Sequence, residues 1–319
     1  MRLFRCFLAA SLMVTGLASA DTYPDKNKPI RLVVPYNAGS STDVLARALA
    51  RGMSETSGVN VIVENKIGGD AVIGVQAVKT APPDGYTILL TTISSQAVNP
   101  HVIANLPYDP IADFVPLVGV AKITLMVNLG AKTPAKTVRE FIAAAKANPG
   151  KYTVGSASTT TRLAGEMLQT AAGIQLLPVP YKNFNDAGSN MVSGELDVMV
   201  VDAATIGAFY SKGVKLVAAA SNTRNSRFPN VPTMAEEGVP GYEILGWFAA
   251  YSPAKTPPAI AATMIDILNK GLKTKYVTDI YDTYAMEPLD LAGDKLGAFQ
   301  RAELEKWGKA VRAANMGPK

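Results

Sequence analysis

The stretch VPYNAGSSTDVLARALARGM, residues 34–53, begins as an apolar strand and ends as an amphipathic helix. Between the two lies NAGSSTD (37–43), which has no bulky side chain. Its glycine allows a tight turn, and its hydroxyls stand beside the free N–H groups of a helix N-terminus. Those N–H groups and the helix dipole favour a carboxylate or phosphate. A simple helix cap, which needs only one such residue, remains the alternative for this stretch alone.

Strand and helix patterns alternate outward from this stretch. The strand patterns of the first unit, separated by helical patterns, are IRLVVPY (30–36), VNVIVE (59–64) and TILLTT (87–92). This βαβαβ order predicts a parallel sheet with right-handed crossovers. A second unit of the same kind begins near ITLMVN (123–128), and the chain returns through YEILGWFAAYSP (242–253). We therefore predict a domain 1 of residues 21–122 and 250–319, a domain 2 of residues 123–249, and a cleft between them.

The first twenty residues have the features of an export signal. Arg2 and Arg5 precede the apolar run CFLAASLMVTGL (6–17), and Ala18-Ser19-Ala20 forms a small-residue cleavage site. We expect cleavage after Ala20 and a soluble, exported mature protein, with a retained anchor as the alternative. The one cysteine, Cys6, would leave with the signal, so that the mature chain would have no disulfide and no thiol nucleophile.

The remaining composition argues against several classes of function. The chain has 31 basic and 26 acidic residues without basic clusters, which argues against a nucleic-acid partner. His101 is the only histidine and is more typical of packing than of catalysis. No carboxylate cluster indicates a metal site, and no G-x-S-x-G elbow indicates a serine hydrolase. We therefore expect a protein that is not an enzyme and has no metal or cofactor.

A second loop favours a ligand site over a simple helix cap as the interpretation of the first loop. GSASTTTR (155–162) repeats the order strand, small hydroxyl loop and helix in the second unit. Two such loops, one per domain, can face each other across a cleft at the carboxyl ends of the strands. The pair therefore predicts a binding cleft rather than two unrelated caps.

A series of further motifs follows in order along the chain: PIRLVVPYNAGSSTDVLAR, VIVENKIGGDAVIG, APPDGYTILLTT, LPYDPIADFVPL, AKANPGKYTVGSAS, LAGEML, VPYKN, RFPNVPTMAEEGVPGYE and AELEKWGKAVRAA. These motifs resemble those of the Bug family of periplasmic substrate-binding proteins, which serve tripartite tricarboxylate transporters. The resemblance covers essentially the whole mature chain. It implies an α/β fold, a two-lobed periplasmic binding protein (type II-like) clamshell in which each lobe is a mainly parallel sheet flanked by helices.

The resemblance also implies which residues bind ligand. In the family, one carboxylate is held by the first βα loop and the facing loop of the other lobe, partly through trapped waters. Carried over by position, the expected ligand-binding residues are Tyr36, Asn37, Ala38, Ser40, Ser41, Asp43, Thr92, Ser94, Ser156, Ala157, Ser158, Thr159, Thr160, Lys182, Asn183 and Asp202.

Three positions depart from the family pattern. Gly39-Ser40 stands where Gly-Gly is frequent, and Asn183 and Phe184 follow Lys182 where the family commonly has VPYKG. Arg162 stands just before LAGE, where family members often carry a histidine. A guanidinium offers a planar fork to a carboxylate, so we predict that Arg162 contacts a second carboxylate of the ligand. The alternative is a surface arginine early in a helix.

These observations lead to one main functional hypothesis. A periplasmic binding protein would capture a small organic carboxylate by domain closure, act as a monomer and deliver the ligand to the membrane permease subunits of a tripartite transporter. Arg162 and nearby aromatic residues favour a dicarboxylate, including an aromatic one. An amino acid, a nicotinate-like monocarboxylate and a tricarboxylate remain alternatives, as do a sensory role with a membrane sensor and an exported hydrolase.

Overall fold

The computed structural model describes residues 23–225 and 227–318. The expected export signal and Cys6 lie outside these ranges. The described chain forms two sheets of mixed strands, each flanked by helices, which confirms the predicted two-lobed α/β fold. Within these ranges, no helix has the length and apolar character needed to cross a bilayer.

The first lobe is built on a six-stranded sheet. Its strands, in spatial order, are β11 (Met286–Pro288), β4 (Phe114–Thr124), β10 (Leu245–Pro253), β3 (Thr87–Thr92), β1 (Ile30–Val34) and β2 (Val61–Asn65). Its helices are α1 (Ser41–Ser57), α2 (Val72–Lys79), α3 (Asn99–Val102), α8 (Pro258–Leu272), α9 (Lys275–Tyr284) and α10 (Asp294–Ala313), and a π-helical turn (Ser94–Val98) precedes α3.

The second lobe is built on a five-stranded sheet. Its strands, in spatial order, are β7 (Leu177–Pro180), β6 (Thr153–Ser156), β8 (Val198–Val201), β5 (Met126–Leu129) and β9 (Lys215–Ala219). Its helices are α4 (Val138–Ala147), α5 (Thr159–Ala172), α6 (Phe184–Ser193) and α7 (Ala203–Ile206), followed by a 3₁₀ turn (Gly207–Lys212).

Both sheets are mixed, which corrects the expectation that each is mainly parallel. In the first lobe, β1 is parallel to β2 and β3, whereas β10 is antiparallel to β3 and β4. In the second, β5 is antiparallel to both β8 and β9. The reason is the route of the chain: β5 and β10 enter their lobes from the cleft, so they run opposite to the neighbouring strands that end there.

The two crossings between lobes are paired with each other. The backbone N–H of Leu125 donates to the carbonyl of Ile244 (3.2 Å), and the N–H of Ala220 donates to the carbonyl of Leu125 (2.8 Å). The sheets therefore divide the chain at Leu125 and between Ala219 and Leu245. The expected boundaries at 122/123 and 249/250 fall inside β4 and β10, so residues 245–249 lie in the first sheet, because β10 pairs with β4 from its first residue.

Helix α1, which carries the first loop at its N-terminus, is held by close packing against α8. A Cβ added at Gly52 would collide with the Thr274 hydroxyl and would lie 2.6 Å from the Gly271 carbonyl oxygen.

We expect Gly52→Ala to lower the free energy of unfolding by about 1–3 kcal/mol, the usual cost of overpacking. Gly207→Ala is the matched control, because a Cβ there would meet nothing nearer than 4.0 Å. Urea denaturation of both variants checks this, and equal stabilities would contradict it.

Candidate ligand-binding site

A chamber of about 60 Å³ lies between the lobes, at the carboxyl ends of β1, β3, β6 and β8. One side of its wall consists of hydroxyl groups from the first turns of α1 and α5. The other side is apolar and comes largely from the crossing strands. Eight of the expected ligand-binding residues line it: Tyr36, Ser40, Ser41, Thr92, Ser94, Ser158, Thr160 and Asp202.

The first loop is shaped by its own hydrogen bonds. Ser40 is the N-cap of α1 and accepts a hydrogen bond from the Asp43 backbone N–H (3.3 Å). The Asp43 carboxylate in turn accepts from the Gly39 N–H (2.9 Å), which holds Gly39 in the left-handed region at φ +81°. The loop therefore presents the α1 N-terminus to the chamber.

Asp43 has a structural role and does not line the chamber. Its carboxylate accepts hydrogen bonds from Arg47 (2.9 and 3.0 Å) and from the Asn65 amide (2.9 Å). Burial by itself raises the pKa of the Asp43 carboxyl, but these donors outweigh it and hold that pKa below its ordinary value. Asp43 thus stabilises the conformation of the loop through its hydrogen bonds with Gly39, Arg47 and Asn65.

The facing loop is fixed by a capping box. The Ser158 hydroxyl accepts from the Thr161 N–H (3.3 Å), and the Thr161 hydroxyl accepts from the Ser158 N–H (3.1 Å). Helix α5 therefore begins at Thr159, inside the GSASTTTR stretch rather than after it. Its first turn faces the chamber, so the N-termini of α1 and α5 converge from opposite lobes.

Hydroxyl groups from the two lobes meet at the chamber. Ser94 and Thr160 share a hydrogen bond of 2.7 Å between their hydroxyls. The Thr159 hydroxyl donates to the buried side-chain oxygen of Asn99 (2.6 Å). These bonds join the lobes on one side of the chamber through uncharged groups.

Asp202 is the carboxylic acid of the inner chamber. It caps α7, and its carboxyl accepts from the Thr205 N–H (2.9 Å), the Thr205 hydroxyl (3.0 Å) and, weakly, the Ser41 hydroxyl of the other lobe (3.5 Å). Burial raises the pKa of Asp202, and its hydrogen bonds offset that rise only in part. Among the described residues that line the chamber, none carries a positive charge.

A larger vestibule of about 380 Å³ adjoins the chamber. The two cavities share Tyr36, Ser94, Ser158 and Phe184. Four more expected residues line the vestibule: Asn37, Ala157, Thr159 and Lys182. Of the described residues around the two cavities, Lys182 alone is a cation, and it is exposed.

Two further expected residues, Ala38 and Asn183, line a small cavity of about 20 Å³ beside the chamber. Asn183 is the N-cap of α6 and accepts from the Asp186 N–H (2.8 Å). Ser156, at the end of β6, lines none of these cavities, and its carbonyl accepts from the Tyr181 N–H (2.8 Å).

Arg162 lies outside the cleft, which corrects its expected role as a clamp for a second carboxylate. Its exposed side chain borders a separate groove with Glu166 and the chain that follows α10. The physical reason is the start of α5 at Thr159. That start makes Arg162 a residue of the helix rather than of the loop, and the helical turn carries its side chain away from the chamber.

Several residues of the chamber were not expected from the sequence. Thr205 follows Asp202 by three residues, a spacing typical of an N-cap that could have drawn attention to it. Trp247, Phe248 and Phe184 also line the chamber, whereas Phe209 packs in the core of the second lobe. The other unexpected lining residues are Thr42, Ile93, Ile123, Leu125, Thr161, Val201 and Gly246.

Two α/β lobes that enclose a chamber at the ends of their strands are typical of solute-binding proteins. Residues 45–316 match the tripartite tricarboxylate transporter family receptor, TctC. The protein BugT of Bordetella pertussis is 31% identical over 307 residues, which cover 95% of this chain and 94% of BugT. The chain therefore belongs to the TctC receptor family, and the resemblance to the Bug family is confirmed.

Solved structures agree with this assignment. The periplasmic binding protein BugD superposes with a TM-score of 0.86 at 29% identity, covering 92% of this chain and 99% of BugD. A protein of R. palustris solved with adipate gives a TM-score of 0.87 at 27% identity, covering 93% of this chain and all of that one (100%).

Proposed function

We propose that this protein is a periplasmic receptor that captures a small aliphatic dicarboxylate by closing its lobes and delivers it to the permease subunits of a tripartite transporter. The observation that carries the proposal is the chamber between the N-termini of α1 and α5. Membership of a transporter-receptor family and the adipate bound by the R. palustris relative support the same function.

The chamber suits a carboxylate because of its dipoles rather than its charges. Two helices of 17 and 14 residues direct their free N–H groups and positive dipole ends at it. The hydroxyls of Ser41, Ser94 and Thr160 add donors that can rotate toward a bound anion. In partly buried geometries, a helix terminus stabilises an opposite charge by up to about 2 kcal/mol.

The size of the chamber favours a slender ligand over an aromatic one. A cavity of about 150 Å³ holds benzene, and this chamber has less than half of that volume. A carboxylate and the first carbons of an aliphatic chain would fill it. The remainder of the ligand would extend into the vestibule, where Lys182 would face a second carboxylate.

Closure and delivery follow from the division of the site. Each lobe supplies part of the hydrogen-bonding shell, so the ligand favours the closed arrangement over the open one. A membrane partner that contacts both lobes would then distinguish the loaded receptor from the empty one.

Matched ligands and matched variants test this proposal. We expect isothermal titration calorimetry to detect adipate binding, and Lys182→Ala to raise its Kd about fivefold, as loss of an exposed ion pair of up to about 1 kcal/mol implies. Hexanoate, which lacks the second carboxylate, should bind both proteins equally.

Arg162→Ala is the control for Lys182→Ala, because it removes a cation from the same lobe outside the cleft. Its Kd for adipate should match that of the unmodified protein. Loss of adipate binding in Arg162→Ala with no change in Lys182→Ala would contradict the proposed pose. Absence of binding by every aliphatic carboxylate of this size would contradict the proposed function.

A further inference from the structure

Phe184 occupies the junction of all three cavities in the cleft. It lines the inner chamber, the vestibule and the small cavity beside the first loop. The small cavity also borders Ala38, Gly39 and Ser40 of the first lobe. The ring of Phe184 therefore projects from the second lobe into the space where the two lobes close on each other.

The backbone at Phe184 is fixed by its position at the start of α6. Asn183 caps the helix, and its amide also donates to the Asp186 carboxylate (2.8 Å). Such a cap holds the first turn in one conformation. The direction in which the Phe184 side chain leaves the backbone is thus set by a hydrogen-bonded helix terminus.

The ring itself is packed on one side and free on the other. Phe184 is half-buried and packs against the apolar cluster of the second lobe that includes Ala187, Met191 and Val201. Its remaining surface faces the cavities. Phe184 therefore lies where the chamber and the vestibule adjoin, at the passage that a ligand reaching from one cavity to the other would use.

We propose that Phe184 sets the width of that passage and thereby selects ligands by the thickness of the segment between their two carboxylates. The inference rests on the proposed function, in which a dicarboxylate reaches from the chamber to the vestibule. An unbranched methylene chain passes beside the ring, whereas a ring-shaped spacer collides with it. Phe184 is thus a specificity-determining residue for unbranched aliphatic dicarboxylates.

Two ligands with similar carboxylate separations test the inference. Adipate has a methylene spacer, and benzene-1,4-dicarboxylate has a flat ring in its place. By isothermal titration calorimetry, we expect the unmodified protein to bind adipate at least tenfold more tightly than the aromatic ligand. In Phe184→Ala this ratio should fall at least fivefold, chiefly through tighter binding of the aromatic ligand.

Two further variants keep the test decisive. Phe184→Leu retains apolar packing on the second lobe and should give an intermediate ratio even if the alanine variant folds poorly. Phe228→Ala removes a half-buried phenylalanine of the second lobe that lines none of the three cavities, and it should leave the ratio unchanged.

The outcomes separate the inference from the function on which it rests. Adipate binding with the same ratio in all Phe184 variants would overturn the width-setting role alone. Preference of the unmodified protein for the aromatic ligand, lost in Phe184→Ala, would also overturn it, since the ring would then stack on the ligand. Binding of neither ligand by the unmodified protein would overturn the proposed dicarboxylate ligand and the inference together.

Discussion

Replacing Asp202 with asparagine should lower the Kd for a carboxylate ligand about tenfold at pH values above the pKa of Asp202 and remove the pH dependence that Asp202 gives to binding. Asp202 is the carboxylic acid of a chamber whose described lining residues include no cation. A bound carboxylate would therefore lie near a second negative charge. Two unit charges about 6 Å apart repel by about 3 kcal/mol at an effective dielectric constant near 20. Relief of about half of that repulsion corresponds to a tenfold lower Kd.

The sign of the pH dependence follows from the pKa of Asp202. Burial has already raised that pKa in the free protein, and a bound anion would raise it further. Binding is therefore accompanied by proton uptake. Affinity is greatest below the pKa of the free protein, falls as pH rises from that value to the pKa of the complex, and is constant above it. Ser41 and Thr205 contact Asp202, and the nearby titratable groups are Tyr210 and, in the chamber wall, Tyr36, whose pKa values burial raises.

Calorimetric titrations between pH 5.5 and 8.5 would check this expectation. Asparagine can cap α7 as aspartate does, so the fold of the second lobe should be preserved. Asp113→Asn is the control, because Asp113 pairs with Lys79 away from the cleft. Weaker binding in Asp202→Asn would instead show that the ligand donates a hydrogen bond to Asp202, as a hydroxyl or ammonium group would.

Replacing Glu303 with alanine should lower the free energy of unfolding by about 3–5 kcal/mol. One carboxylate oxygen of Glu303 accepts from the indole N–H of Trp247 (3.0 Å) and from that of Trp307 (2.8 Å). All three residues are buried. Alanine would leave two buried donors without an acceptor, and each such donor costs about 1–3 kcal/mol.

Glu303→Gln is the matched control for this prediction. Its amide oxygen can still accept a hydrogen bond, so we expect a loss of about 1 kcal/mol. The protein has two tryptophans, and Glu303 contacts both, so intrinsic fluorescence during urea denaturation reports directly on this network. Equal stabilities for the alanine and glutamine variants would show that the indole hydrogen bonds contribute little.

Glu303 also connects the stability of the first lobe to the site. Trp247 lines the chamber and forms an edge-to-face contact with Phe299 of α10 (5.5 Å between ring centroids). The hydrogen bond to Glu303 fixes the orientation of the indole. The apolar wall of the chamber thus depends on a carboxylate that does not itself line it.

Much of the architecture could be predicted because it is encoded locally. The alternation of apolar strands with amphipathic helices gives two α/β units, and the hydroxyl loops at 37–43 and 155–162 follow strands whose ends meet at the cleft. The direction of β5 and β10 could not be read from composition. It depends on the chain crossing between lobes, which is a property of the whole fold.

The site could be predicted only in part, and individual residues show why. Arg162 was misplaced because the start of α5 depends on the Ser158–Thr161 capping box, and a shift of the helix start redirects every side chain that follows. Ile123 and Leu125 were missed because a strand that lines a cavity has the same apolar pattern as one that lines a core. The role of Phe184 remained open because only the tertiary structure shows that this residue borders three cavities.

The convergence of two helix N-termini has a consequence for how this receptor can diversify. In the proposed function, most of the positive potential that would attract the carboxylate comes from peptide groups, which every amino acid carries. Point mutation of the chamber can therefore change its shape and width while the attraction for a carboxylate persists. A gene duplicate could acquire affinity for new acids through single substitutions in the chamber wall. None of the intermediate forms would need to lose carboxylate binding.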